Sequence, residues 1–252
     1  MLFINLIHRK WVCQFLIFSL NYLTYSNLIS FDNDGQLLPE AQWPNKQENL
    51  EDELKVIQLI KDEFVVPEYA DVVSGVQLLN EPATFQHPDS YIPFLKQYYQ
   101  SGYDIIDDDT PVTIHDGFQE IETWNGFLDG TKLDTHKYQV FSPEELKRTD
   151  QERVENACMY KDRLQDVTDN HHFAFVGEWT AAITDCTKYL NGRKVEGARY
   201  EGKHSVSDEY IGSCEGKSGD GLDWSDEYKA QLRLFWEAQV DAWNDRYYFW
   251  YV

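Results

Sequence analysis

Positive charge is scarce in this chain. Its 22 Lys and Arg stand against 44 Asp and Glu, a formal net charge of −22. The acids are scattered along the whole length rather than gathered in a tail. A surface of that sign repels phosphate backbones, which argues against nucleic acid as a partner. Cysteine is also sparse: Cys13, Cys158, Cys186 and Cys214, none of them in a CxxC arrangement. That spacing argues against a zinc site. The pair His171-His172 has no acidic neighbour at a defensible ligand spacing, so a structural role is expected for it, as for His115 with Asp116. No Asn-x-Ser/Thr sequon occurs, and neither an internal repeat nor a low-complexity tract is evident. The apolar stretch from Trp11 to Leu20 is too short to span a bilayer.

What is present is aromatic and apolar. Aromatic residues make up 15%, which suits a surface that stacks sugar rings and equally suits a thick core. With 252 residues the chain can form one α/β barrel or two small domains. Arg9 and Lys10 precede the apolar stretch in the manner of a secretory signal. The same stretch can instead be a buried strand. Cys186 and Cys214 could close a 28-residue loop by a disulfide in an oxidising compartment, or remain thiols.

Periodicity orders the rest. Residues 48–64 are expected to be helical, with Leu50, Leu54, Ile57, Leu59 and Ile60 largely on one side. Residues 71–80 read as a strand, 89–106 as a helix, and 111–115 and 133–141 as strands. Ser142-Pro143-Glu144-Glu145 opens a helix: Ser142 can cap, and Glu145 can reach back to the cap amide. Residues 173–178 are a strand, and 180–190 a short helix ended by Asn191-Gly192. A Gly- and Ser-rich loop, 193–221, holds Cys214. Residues 224–245 show the clearest helical period, and Tyr247 to Val252 is a last β-type run. Alternating strand and helix predicts parallel strands with crossover helices. Five strands are expected after residue 70. The first 70 residues can supply one more at most, around residues 11–20.

Two glutamates end apolar β-type runs. Glu81 closes Leu78-Leu79-Asn80 and precedes Pro82. Glu178 closes Phe173-Ala174-Phe175-Val176-Gly177 and precedes Trp179. A carboxyl at the carboxyl end of a buried strand points into the mouth of an α/β barrel, and two that face each other can break a glycosidic bond. Desolvation near Leu79 and aromatics suits Glu81 to a general acid. The bland reading of Asn-Glu-Pro, a capping or ion-paired Glu, stands beside it at even odds. His136 and Tyr138 fall on one face of their strand by the period of two. A Tyr there can orient a carboxylate, and a His can hold sugar or carboxylate; for His136 alone a polar core role is the commoner outcome.

These residues resemble the fungal exo-β-1,3-glucanases of glycoside hydrolase family five. The likeness runs from about Phe31 to Trp250. It is carried by LLNEP (78–82), IHDGFQ (114–119), HKYQVFS (136–142), VGEWTAAITDC (176–186), LNGRKVEGARYEG (190–202) and YIGSC (210–214). The resemblance implies an α/β class and a (β/α)8 TIM barrel, here incomplete, with strands four to eight recognisable and the first strands missing or replaced. Residues 1–30 are then an atypical segment, signal-like or a replaced barrel start, and 31–252 a partial glycosidase barrel. It implies Glu81 as acid/base and Glu178 as nucleophile of a retaining mechanism. Asn80, His136 and Tyr138 match positions lining the glucose subsite, and Phe31 and Phe141 match an aromatic pair at the pocket entrance. Cys186 and Cys214 match a family disulfide, and Cys158 half of a second. No metal or cofactor is implied, and the implied partner is β-1,3-glucan. A secreted, cell-wall monomer without a membrane span is expected. The family's first two barrel strands and its last segment have no counterpart, so the chain reads as truncated at both ends and is expected to be poorly stable and weakly active. The alternatives are a non-catalytic glucan-binding relic of the same barrel and an endo-acting or β-1,4-specific relative.

Overall fold

A computed structural model describes residues 3–9, 12–18, 43–44, 46–106, 109–191, 197–205 and 207–243. Strand and helix alternate as the periodicity predicts. In chain order come β1 (Phe3–Arg9), β2 (Val12–Phe18), α1 (Gln47–Phe64), β3 (Val73–Gln77), α2 (Pro88–Ile105), β4 (Val112–His115), β5 (Lys132–Lys137), α3 (Pro143–Leu146), α4 (Asp150–Asn170), β6 (Phe173–Trp179) and α5 (Asp226–Trp243). The strands form one sheet in the order β1-β2-β3-β4-β5-β6. β1 is antiparallel to β2. The pairings β2–β3, β3–β4 and β4–β5 are all parallel, with Val76 beside Val112 and Ile114 beside Leu133. Where one strand at most was expected before residue 70, there are two, because β1 and β2 pair as a hairpin.

Two compact units divide the chain. Unit 1 comprises residues 1–135 and 165–177, and unit 2 comprises 136–164 and 178–252. In unit 1 the parallel strands are buried almost without alternation. Val76, Leu78, Ile114, Leu133, Phe175 and Val176 are all within 1% of full burial. That is the pattern of strands covered on both faces. Helix α1 turns Leu50, Ile57 and Ile60 inward and packs on α2. Trp43 closes this layer edge-on to Phe94 and Tyr98, with ring centroids 5.1 and 5.2 Å apart.

Two tyrosines of α2 hold the strand ends. Tyr98 Oη donates to the Leu78 carbonyl at 2.7 Å. Tyr99 Oη donates to the His115 carbonyl at 2.9 Å and accepts from the His115 amide at 3.1 Å. Burial pushes the Tyr99 phenol well above its ordinary pKa, so it stays protonated and able to donate.

Unit 2 is built on α3, the first part of α4, α5 and the loops between them. The expected capping box is present: Glu145 N donates to Ser142 Oγ, and Ser142 N to Glu145 Oε2. The expected helix over 180–190 is not formed; that segment is bends and turns. The reason lies in Asp185, which is 1% exposed. Its carboxylate accepts from the amides of Arg199 (2.7 Å) and Tyr200 (3.0 Å) and from Asn191 Nδ2 (2.9 Å). A side chain that satisfies backbone amides about fourteen residues away gives this segment an alternative to helix. The disulfide Cys186–Cys214 forms beside this hub, with Cα atoms 5.4 Å apart. Cys158 is an exposed free thiol. The expected final strand, 247–252, lies outside the described residues.

Replacing Cys186 and Cys214 together by Ser is expected to lower the unfolding free energy by roughly 3–4 kcal/mol, the loop-closure value for this separation. Urea unfolding followed by circular dichroism reads it. A second expectation concerns Gly177. A Cβ there would lie 2.6 Å from both Cγ and Oδ2 of Asp134. Gly177→Ala is expected to destabilise by about 1–3 kcal/mol or more through overpacking, seen as a lower melting temperature. An unchanged melting temperature would show that Asp134 can move aside.

Candidate active site

In unit 2 the site begins with Glu178, the penultimate residue of β6. The preceding run from Ala174 to Gly177 is buried, while the Glu178 side chain is 27% exposed. Its Oε2 accepts a hydrogen bond from Tyr138 Oη at 2.8 Å. The same oxygen lies 3.5 Å from His136 Nδ1, whose side chain is fully buried. His136 sits near the end of β5 and Tyr138 follows the strand, two residues apart and so on one side, as the period requires. Tyr138 is held in turn by Phe141, edge-to-face at 5.4 Å. Phe141 is exposed, and the Arg199 guanidinium stands 5.9 Å from its ring centre. One carboxylate oxygen is thus fixed by a phenol and approached by an imidazole, while the group remains open to solvent. A carboxylate so placed can act as a nucleophile or can pair with a developing positive charge.

In unit 1, Asn80 and Glu81 are half-buried where the chain leaves β3, and Pro82, Ala83 and Thr84 behind them are buried. Glu81 has a φ of 47°. Non-glycine residues rarely adopt this left-handed conformation, which costs on the order of 1–3 kcal/mol and persists only where surrounding structure holds it. Here the support is on both sides. Tyr98 grips the Leu78 carbonyl before it, and Thr84 Oγ1 donates to the Gly117 carbonyl after it. Gln119 Nε2 donates to the same hydroxyl at 2.9 Å. The turn that aims Glu81 is therefore imposed rather than relaxed.

A buried polar layer lies beneath this strand end. Asp134 of β5 is fully buried and accepts from Gln77 Nε2 of β3 at 3.0 Å. Asp116 accepts from the Phe118 amide at 2.9 Å and from Thr135 Oγ1. His115 Nδ1 lies 3.3 Å from Asp116 Oδ1, but this is not an ion pair. The Gly117 amide donates to Nδ1 at 2.9 Å, and an amide can only donate. Nδ1 is therefore unprotonated, and His115 is the neutral Nε2–H tautomer. His172 places Nε2 3.0 Å from the Trp124 carbonyl and Nδ1 3.1 Å from Thr131 Oγ1. Both histidines are fully buried within unit 1.

The sequence-predicted residues therefore fall as follows. His136, Tyr138, Phe141 and Glu178 are gathered in unit 2. Asn80 and Glu81 stand together in unit 1. Phe31 lies outside the described residues, and Cys186 pairs with Cys214. Gln77 and Asp134 were not singled out. For Asp134 a signal was present: it extends the period-two set of His136 and Tyr138 by one step.

No protein-family model matches the chain. It is 37% identical over 223 residues to the glucan 1,3-beta-glucosidase of Yarrowia lipolytica, covering 85% of this chain and 50% of that protein. It is 38% identical over 230 residues to the glucan 1,3-beta-glucosidase of Lachancea kluyveri, covering 86% and 50%. Among solved structures, rutinosidase from Aspergillus niger superposes with a TM-score of 0.51 at 14% identity, over 89% of this chain and 55% of that one. That likeness speaks to fold alone and agrees with an incomplete α/β barrel. The chain spans about half the length of the curated relatives it matches. Over most of its own length, it is a homologue of the fungal glucan 1,3-beta-glucosidases.

Proposed function

We propose that this protein is a retaining glycoside hydrolase that releases glucose from the non-reducing ends of β-1,3-glucans. Glu178 is the nucleophile and Glu81 the acid/base. The observation that carries this reading is the hydrogen bond from Tyr138 to Glu178 Oε2 at 2.8 Å. It fixes one oxygen of a partly exposed carboxylate. The glucan relatives support the substrate class.

In the proposed reaction Glu81, protonated, gives its proton to the leaving glycosidic oxygen while Glu178 attacks the anomeric carbon. The bond to the leaving sugar breaks and a glucosyl–Glu178 ester forms. Glu81, now ionised, takes a proton from water, which attacks the same carbon and frees Glu178. This requires the two carboxyls to lie roughly 5–5.5 Å apart. Asn80 and His136 would hold hydroxyls of the glucose, and Phe141 would stack a sugar ring at the entrance with Phe31. The disulfide suits the oxidising, extracellular setting in which a wall glucan is met.

Laminarin hydrolysis tests the reading. Glu178→Gln is expected to abolish glucose release while glucan binding persists. A wild-type chain that binds laminarin but releases no glucose would instead favour a non-catalytic binder. The covalent step is read separately: 2-deoxy-2-fluoroglucosyl fluoride is expected to label the peptide containing Glu178, and labelling elsewhere overturns the assignment. Tyr138→Phe removes one hydrogen bond to a charged group, worth about 1.5–3 kcal/mol. It is expected to lower kcat roughly 10- to 100-fold with KM little changed.

A further inference from the structure

A cavity lies wholly within unit 2, and none of the Glu178 cluster lines it. It has a volume of about 320 Å³ and is lined by the start of α4, the start of α5 and the loop segments around Ile183, Tyr200 and Lys217. This is within the range of small-molecule sites, roughly 300–1,000 Å³. Three cations line it: Arg148, Arg153 and Lys217. Among the described residues none of them is ion-paired. Arg153 is 2% exposed. Its guanidinium donates only to neutral carbonyls, those of Gln139 (2.8 Å), Leu146 (3.2 Å) and Ile183 (3.1 Å). Arg148 donates to the amide oxygen of Gln139 at 2.8 Å. Lys217 stands over the Tyr228 ring at 4.5 Å.

That arrangement is unusual for this chain, where acids outnumber bases two to one. A buried guanidinium without a carboxylate carries a large desolvation cost. Burial lowers the Arg153 pKa, and neighbouring Arg148 lowers it further. Asp150 is the single carboxylate in the lining, and it accepts from Gln231 at 3.2 Å. Glu145 also acts on Arg153, but its Oε2 is engaged by the Phe141 and Ser142 amides, both at 3.0 Å. Three cations and one carboxylate leave the lining with two net positive charges. The positive end of the 21-residue α4 is met by its own Asp150 and Glu152 and adds little. Tyr200 and Tyr228 also line the cavity, the Tyr228 hydroxyl 3.3 Å from Thr184 Oγ1.

We infer that this cavity binds a small organic phosphate of about monosaccharide size, its phosphate on Arg148, Arg153 and Lys217. A phosphate monoester carries about −1.5 to −2 at neutral pH, matching the lining, and its several oxygens can engage more than one cation. A monocarboxylate matches neither. The inference is independent of the glucan reading, and turnover plays no part in its test.

Isothermal titration calorimetry at low salt uses three probes: glucose 6-phosphate, inorganic phosphate and gluconate. Glucose 6-phosphate is expected to bind saturably, one per chain, with affinity falling as salt is added. Inorganic phosphate is expected to bind more weakly, and gluconate at least tenfold more weakly. The double variant Arg148→Gln/Lys217→Gln is expected to lose at least tenfold in affinity for glucose 6-phosphate with an unchanged melting curve. Should the pair unfold, Lys217→Gln alone is read instead, with a threefold loss expected. No saturable binding of glucose 6-phosphate, gluconate binding as tight as it, phosphate binding as tight as it, or full affinity in the folded variant would each overturn the inference.

Discussion

The absence of a side chain at Gly177 is the constraint on which the Glu178 end of the chain depends. Asp134 fills the space where a Cβ at position 177 would stand. Any larger residue there must displace either β6 or a carboxylate that is fully buried. Asp134 cannot move freely, because Gln77 of β3 donates to it and an unpaired carboxylate in this interior would carry a large cost. The glycine therefore lets β6 run against the polar layer of unit 1. The residue after it, Glu178, inherits the position of that strand. The Glu178 carboxylate is placed here by a neighbour that has no side chain.

Rigidity at the Glu81 end arises differently. There the backbone itself is held in a left-handed turn that its side chain disfavours. The restraints are two hydroxyl-to-carbonyl hydrogen bonds, Tyr98 to Leu78 and Thr84 to Gly117, with Tyr99 doing the same for the end of β4. Helix α2 thus acts on the strand ends through phenols rather than through apolar packing alone. A buried phenol that donates to a carbonyl satisfies both groups, and burial keeps it protonated. The cost of the turn is offset by contacts formed elsewhere in unit 1.

What was legible in the sequence followed from periodicity and from short-range chemistry. Helices α1, α2 and α5, the capping box at Ser142, and strands β3 to β6 all rest on local patterns that tertiary structure did not override, although Leu59, expected on the inner side of α1, is exposed. Asp134 was missed although the alternation that marked His136 and Tyr138 passes through it. A buried acid is discounted by composition until a donor such as Gln77 is known, and Gln77 lies 57 residues away in sequence. The helix expected over 180–190 failed for a related reason. Asp185 satisfies amides at 199 and 200, and no local window reveals such a partner. The hairpin of β1 and β2 was undercounted because an apolar run bounded by Arg9 and Lys10 reads equally as a signal-like stretch.

The distribution of positive charge carries one further consequence. In a chain of net charge −22, a cation ordinarily finds a carboxylate, as Lys55, Lys147 and Arg233 do on the surface. Those pairs are exposed and contribute little. Arg153 differs because its burial is imposed by three carbonyls from separate segments. Carbonyls orient a guanidinium but leave its charge uncompensated. Arg148 stands nearby, and like charges that share a desolvated wall repel one another. Such a wall is favourable only if something opposes that repulsion. Asp150 opposes part of it, and the remainder is a field directed into open space. The same physics that makes the outer surface repel phosphate makes this one recess attract it.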